Sequence, residues 1–299
     1  MIRLAEWLAA RRRLTLGLVI VYSALIILTH ELIQQIVLHA YDRFTRERVN
    51  LAVHVFGTLL LLAFSRFLWQ SLRPPSQRFS KLLFLAITGL LMAASWRWLF
   101  YTDAEAVHFP QYALLTILIF PLTGRFGLAV FYATLIGVVD ECVQYYIAHP
   151  TWNVYLDTND MIYNLIGAGL GCTLLYVGGA GQMVRPASQQ KVAGRLMQSP
   201  ALWIMVGILL LCSGLWLAGL LTIDPLPDGT KPKFVLRRAG PPASYWQTTN
   251  WGKTYHHVSP YEAILWGGTL LLFYSMLDVC ARRTGSDAPS RPLKAPSMA

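Results

Sequence analysis

The chain has 299 residues, of which 55% are hydrophobic and only 13% charged, with a mean hydropathy of +0.45. That balance excludes an ordinary soluble globular domain, because a hydrocarbon core of ~30 Å takes about 20 apolar residues per helix and most of this chain is spent on such runs. The formal net charge of +10 does not indicate nucleic acid, since the basic residues are spread over helix ends rather than gathered on one face; anionic lipid headgroups account for them.

Eight apolar stretches follow in order: Leu14–Gln34, Asn50–Trp69, Leu82–Tyr101, Ala106–Leu122, Phe126–Ile147, Met161–Gly178, Ala201–Leu221 and Tyr261–Val279. They predict an all-α, polytopic transmembrane helix bundle of about eight helices. No secretory cleavage site follows the first run, which reads as a retained helix. Lys and Arg collect before the first stretch (Arg11, Arg12, Arg13), after the second (Arg73, Arg78, Lys81), after the fourth (Arg125) and after the sixth (Arg185, Lys191, Arg195). Arg282 and Arg283 follow the eighth. Positive charge marks cytoplasmic loops, so both termini are expected in the cytoplasm and the odd-numbered connections outside. The long connection Thr222–Pro260 departs from this rule with Lys231, Lys233, Arg237, Arg238 and Lys253. Long loops obey it less well; an odd number of helices or a re-entrant segment is the other explanation.

The organisation expected is two N-terminal helices in residues 1–80, a four-helix core in 81–178 and a Gly, Gln and Ser-rich cytoplasmic linker in 179–200. Two C-terminal helices with a long outer loop (222–260) occupy 201–281, and a disordered Pro-containing tail 282–299. Cys142, Cys172, Cys212 and Cys280 lie in membrane segments without Cys-x-x-Cys spacing, which indicates neither a disulfide framework nor a zinc site. Gly167 and Gly171 have the Gly-x-x-x-Gly spacing of closely packed membrane helices. Trp96, Arg97 and Trp98, like Trp246, Trp251 and Tyr255, read as interfacial anchors.

Four polar clusters interrupt the apolar runs: His30 and Glu31 with Gln34, His108 with Tyr112, Asp140 and Glu141 with Gln144, and Asp160 with Asn164. Ionisable groups inside a membrane are costly and mark function by default. In the topology above, all four fall near the outer surface, as does His54 about one turn into the second helix. The pairs at i,i+3 and i,i+4 share a helix face, so a shared pocket is expected. Helix-to-helix hydrogen bonding, at ~1 kcal/mol per contact, explains Gln144 and Asn164 equally well but explains a carboxylate such as Glu141 less well.

The ordered set Glu105-x-x-His108-Phe109-x-x-Tyr112, Asp140-Glu141-x-x-Gln144 and Asp160-x-x-x-Asn164-x-x-Gly167 resembles the VanZ-like family, over about residues 82–176. The resemblance implies a bacterial cytoplasmic membrane protein of the cell envelope, in a family whose namesake is associated with reduced susceptibility to the glycopeptide antibiotic teicoplanin. It implies no settled reaction. Family members usually carry an arginine between the second and third motifs, about where Asn153 stands, and here that loop has none; the basic residues of 222–260 are a candidate substitute.

A repeat is visible at an offset of 110 residues, with Glu31-x-x-Gln34 and His54-x-x-Gly57 matching Glu141-x-x-Gln144 and Asn164-x-x-Gly167. Few identities support it. Three functional readings follow. In the first, His108, Tyr112, Asp140, Glu141, Gln144, Asp160 and Asn164, with Glu31, Gln34 and His54, bind or translocate a lipid headgroup or lipid-linked envelope precursor. In the second, Glu141 or His108 is the general base of a membrane enzyme; no Gly-x-Ser-x-Gly or His-Glu-x-x-His motif supports hydrolase chemistry. In the third, the chain recruits envelope-assembly proteins through its outer loop. No cofactor is expected, and a metal site of His108, Glu141 and Asp160 is a minor alternative.

Overall fold

A computed structural model describes residues 1–73, 77–148, 155–184, 200–225, 233–238 and 244–286. Asn153, Lys231, Arg185, Lys191, Arg195 and most of the expected linker and tail lie outside the described residues. The helices are α1 (Ile2–Ala10), α2 (Arg12–Arg43), α3 (Arg46–Leu72), α4 (Arg78–Trp98), α5 (His108–Thr123), α6 (Phe126–Val143), α7 (Thr158–Val177), α8 (Pro200–Leu217) and α9 (Pro260–Ser286). A 3-10 turn, Asp103–Val107, leads into α5, and a π-helical turn, Gln144–Ala148, continues α6. Among the described residues, eight helices are long and apolar enough to cross a membrane, and they coincide with the eight apolar stretches.

α7 is the centre. It packs against α5, α6, α9 and α4, with α2 lying on α5. Small residues make this possible. A Cβ on Gly167 would stand 2.8 Å from the His108 carbonyl oxygen, and one on Gly171 2.4 Å from that of Ala113, so the α5 and α7 backbones approach as only glycine permits. Gly169 receives the ring of Tyr274 from α9. Around this contact Leu115, Phe120, Phe126, Leu165, Leu175 and Tyr274 are fully enclosed. Gly124, at φ +61, closes α5 in the left-handed conformation.

The last helix is thus part of the core, although the sequence sets it apart beyond the linker. Its Asp278 accepts hydrogen bonds from the backbone N–H groups of Phe126 (2.7 Å) and Gly127 (3.1 Å). Those are free donors at the start of α6, capped here by a side chain from another helix.

Two boundaries differ from expectation. α2 does not end near Gln34: residues 36–41 hold no Gly or Pro, and the helix runs on to Arg43. Its 32 residues span roughly 48 Å at about 1.5 Å per residue. Only Phe44 and Thr45 then separate it from α3. This connection adds Arg43, Arg46 and Arg48 to the end that charge bias assigns to the outside, so the bias between the two ends is smaller than the later loops indicate. The region 222–260 also contains short strands. β1 (Leu221–Thr222) pairs in parallel with β2 (Phe234–Val235), and β3 (Trp246–Thr248) antiparallel with β4 (Thr254–His256). Leu156 N–H bonds to the Leu236 carbonyl, and Tyr155 bridges Arg237. This strand-bearing region therefore lies on the approach to α7.

Candidate functional site

The polar residues of α5, α6 and α7 meet at the end of the bundle where α5 and α7 begin and α6 finishes. The geometry at each helix end is locally determined. Glu105 accepts from the N–H groups of Tyr101 (3.0 Å) and Thr102 (2.8 Å), a capping box that fixes the 3-10 turn and delivers His108 to the first turn of α5. Asp157 caps α7, accepting from Asn159 N (3.0 Å) and Asp160 N (3.1 Å). The π turn after Val143 widens the end of α6 just where Gln144 enters the cluster, a local irregularity frequent at functional sites.

His108 is the hub. Its Nδ1 lies 2.9 Å from Asn164 Oδ1 and its Nε2 lies 3.4 Å from Asp160 Oδ2. Both ring nitrogens therefore face oxygen acceptors, which an imidazolium satisfies on both sides. Tyr112 donates its hydroxyl to Asp140 Oδ2 at 3.2 Å, and Gln144 Nε2 donates to Glu141 Oε1 at 3.4 Å. Gly137 makes room for the arrangement: a Cβ there would stand 2.9 Å from Asn164 Nδ2 and 3.1 Å from the Tyr112 ring. Tyr112 and Asn164 are 0% exposed, Asp140 1%, Glu141 2% and His108 4%, so these groups exchange little with water.

From α2 the residue that enters is His30. Its Nδ1 lies 3.1 Å from Gln144 Nε2 and 3.5 Å from Asp140 Oδ2, and its ring centre is 5.8 Å from that of His108. Glu31 and Gln34 instead face a shallow surface with Gln35, Leu38, His39 and Asp42, lined by one helix alone. His54 goes elsewhere too. Its Nε2 is 3.2 Å from Asp103, which also accepts from Trp96 Nε1 (2.9 Å) and lies 3.5 Å from Lys253 Nζ. The structure thus gathers His108, Tyr112, Asp140, Glu141, Gln144, Asp160 and Asn164, and leaves Glu31, Gln34 and His54 outside. Nor do the two halves of the 110-residue repeat share an environment: a Cβ on Gly57 meets nothing within 4 Å, whereas Gly167 is pressed against α5.

The strand-bearing region covers the site's margin. Asn159 donates to the carbonyls of Leu99 (3.0 Å) and His256 (2.8 Å) and accepts from Val258 N (2.7 Å), stitching α4, α7 and β4 together. Thr158 donates to the Val258 carbonyl. Arg238 donates to the Tyr145 carbonyl at 2.6 Å and lies 3.8 Å above that ring, while Arg237 pairs with Asp224. Thr158 and Asn159 carried no signal in the sequence, because their partners are backbone groups of distant segments, whereas Arg237 and Arg238 stood out only as basic residues of a long loop. Burial, with the charge of Asp160 adding to it, pushes the Asp157 carboxyl up to about 7. Burial beside His256 and Arg237 holds His257 down to about 4.

Among the described residues, two buried atoms of the cluster have no hydrogen-bond partner: Asp140 Oδ1, an acceptor, and Asn164 Nδ2, a donor. Among the described residues no Lys or Arg hydrogen-bonds or ion-pairs with any member of the cluster, whose partners are His, Tyr, Gln, Asn and carboxylates. Nor is any group of three His, Cys, Asp or Glu side chains among the described residues arranged to hold a metal ion. No family model, no curated protein and no solved structure matches this chain.

Proposed function

We propose that this chain is a VanZ-like protein of the bacterial cytoplasmic membrane, and that its cluster binds or translocates the headgroup of a lipid or a lipid-linked envelope precursor near the extracytoplasmic face. The observation that carries the reading is the pair of orphaned buried atoms, Asp140 Oδ1 and Asn164 Nδ2. Leaving a polar group unpaired away from water costs about 1–3 kcal/mol, and a ligand that supplies the missing partners recovers it. The placement at one end of the bundle matches a substrate whose apolar chain stays in lipid while its polar end enters protein. An effect on glycopeptide susceptibility belongs to the same reading, through the envelope precursors such antibiotics recognise.

The enzymatic reading has less support. With both of its nitrogens engaged, His108 offers no free nitrogen to take a proton, which leaves Glu141 as the general base. Recruitment of envelope-assembly proteins is the remaining reading, carried by the surface of 222–260 rather than by the cluster.

Mass spectrometry of lipids retained by purified wild type, compared with folded Glu141→Gln, His108→Ala and Asp160→Asn variants, tests the proposal. A lipid or lipid-linked glycan held by wild type and lost from the variants is expected. Accumulation in the Glu141→Gln variant would instead indicate blocked turnover, and identical profiles in all four would overturn both readings.

A further inference from the structure

The unpartnered atoms also define the kind of group the site accepts. Asn164 Nδ2 offers a hydrogen bond and Asp140 Oδ1 requires one. Each belongs to a side chain that is 0–1% exposed, and each is fixed by its other atom. The Asn164 carbonyl oxygen is held on His108 Nδ1 at 2.9 Å, and Asp140 Oδ2 receives the Tyr112 hydroxyl at 3.2 Å. Neither group is therefore free to turn and exchange its role. An ionised phosphate diester only accepts, so it leaves Asp140 Oδ1 unserved and brings negative charge among Asp140, Glu141 and Asp160, where no Lys or Arg among the described residues bonds to the cluster to offset it. An ammonium only donates and leaves Asn164 Nδ2 unserved. A hydroxyl both donates and accepts.

We propose that the cluster selects a neutral hydroxyl of a sugar or polyol headgroup over a phosphate or an ammonium group, an inference that rests on the headgroup-binding reading above. Any phosphate of the same lipid lies outside the cluster, on the side of the basic strand-bearing region.

The test uses full-length protein in phosphatidylcholine nanodiscs, offered decyl β-D-glucoside, decyl phosphate or decyltrimethylammonium, with the bound probe counted by native mass spectrometry after release into a polyoxyethylene detergent. Wild type is expected to retain the glucoside at least tenfold over the other two. Asp140→Asn turns the acceptor into a donor and removes a charge, so retention should shift towards decyl phosphate. Asn164→Asp exchanges the remaining donor for an acceptor and should shift it towards the cation. Inversion of preference in opposite directions is something a merely structural role does not produce, and either variant suffices if the other fails to fold. Phosphate preferred by wild type, or glucoside retained equally by wild type and variants, overturns the hydroxyl assignment while leaving headgroup binding standing. No probe retained by wild type overturns both.

Discussion

α3 and α7 are both apolar helices long enough to cross a membrane, yet 78% of the apolar stretch of α7 is buried and 0% of that of α3. The buried helix is the less apolar of the two, with a mean hydropathy of 1.3 against 1.9, so apolarity alone does not explain burial. What does is the distribution of small and polar residues. α7 presents Gly167 and Gly171 to α5 and Gly169 to α9, and carries Asn159, Asp160 and Asn164 at the end where α4, α5 and α6 converge. α3 turns Leu51, Val55, Phe56, Leu59, Leu61 and Leu62 outward. Apolarity places a helix in the membrane, where lipid tails compete equally for its surface; close backbone approach and hydrogen bonds decide which helices form the protein's interior.

The sharpest way to break this comparison is to enlarge one glycine in each helix. Gly171→Leu drives side-chain atoms into the Ala113 carbonyl, 2.4 Å from the first added carbon, and neither backbone can yield. A loss of ~3 kcal/mol or more is expected, seen as collapse of the monodisperse peak in size-exclusion chromatography. Gly57→Leu, with open space around it, should elute like wild type. Equal behaviour of the two would show that α7 is not the packing centre.

Next in size is the cap from α9. Asp278→Ala leaves the N–H groups of Phe126 and Gly127 bare within the protein and should lower stability by about 2–3 kcal/mol, measured as a fall in thermal midpoint. Asp278→Asn keeps one acceptor and should recover about half of that loss.

The smallest effect expected in wild type is a pH dependence at the cover of the site, outside the spans, where two opposed contributions nearly cancel. Asp157, raised from 3.8 to about 7, favours the fold most below about pH 4 and loses that contribution as pH rises to about 7. His257, lowered from 6.5 to about 4, contributes fully above pH 6.5 and loses its contribution as pH falls through 4. The two oppose each other between these limits, so wild type should melt at nearly constant temperature across them. Asp157→Asn should leave stability rising with pH and His257→Gln should leave it falling, each by at most ~1.4 kcal/mol per pH unit. A flat profile in both variants would remove these groups from the account.

Each span was legible from hydropathy, because twenty apolar residues without a breaker have few alternatives in lipid. The members contributed by α5, α6 and α7 were legible as polar exceptions to those spans. Which residue of α2 joins them was not: adjacent helical positions point about 100° apart, so choosing His30 over Glu31 requires knowing how α2 rolls on α5. His54 similarly found Asp103, which lies in a turn rather than a membrane helix. Asp278 gave no sign of capping α6, since nothing near it in the sequence resembles a helix start.

That cap has a consequence for how the protein is made. Phe126 and Asp278 are 152 residues apart, and a chain synthesised from its N-terminus delivers α6 to the membrane well before α9 leaves the ribosome. During that interval the α6 end has two bare donors, and the helix bearing Asp140 and Glu141 lacks one of its main supports. The finished bundle is therefore a late product of biogenesis, and a chain truncated before α9 retains every member of the cluster but loses the cap that anchors the far end of α6.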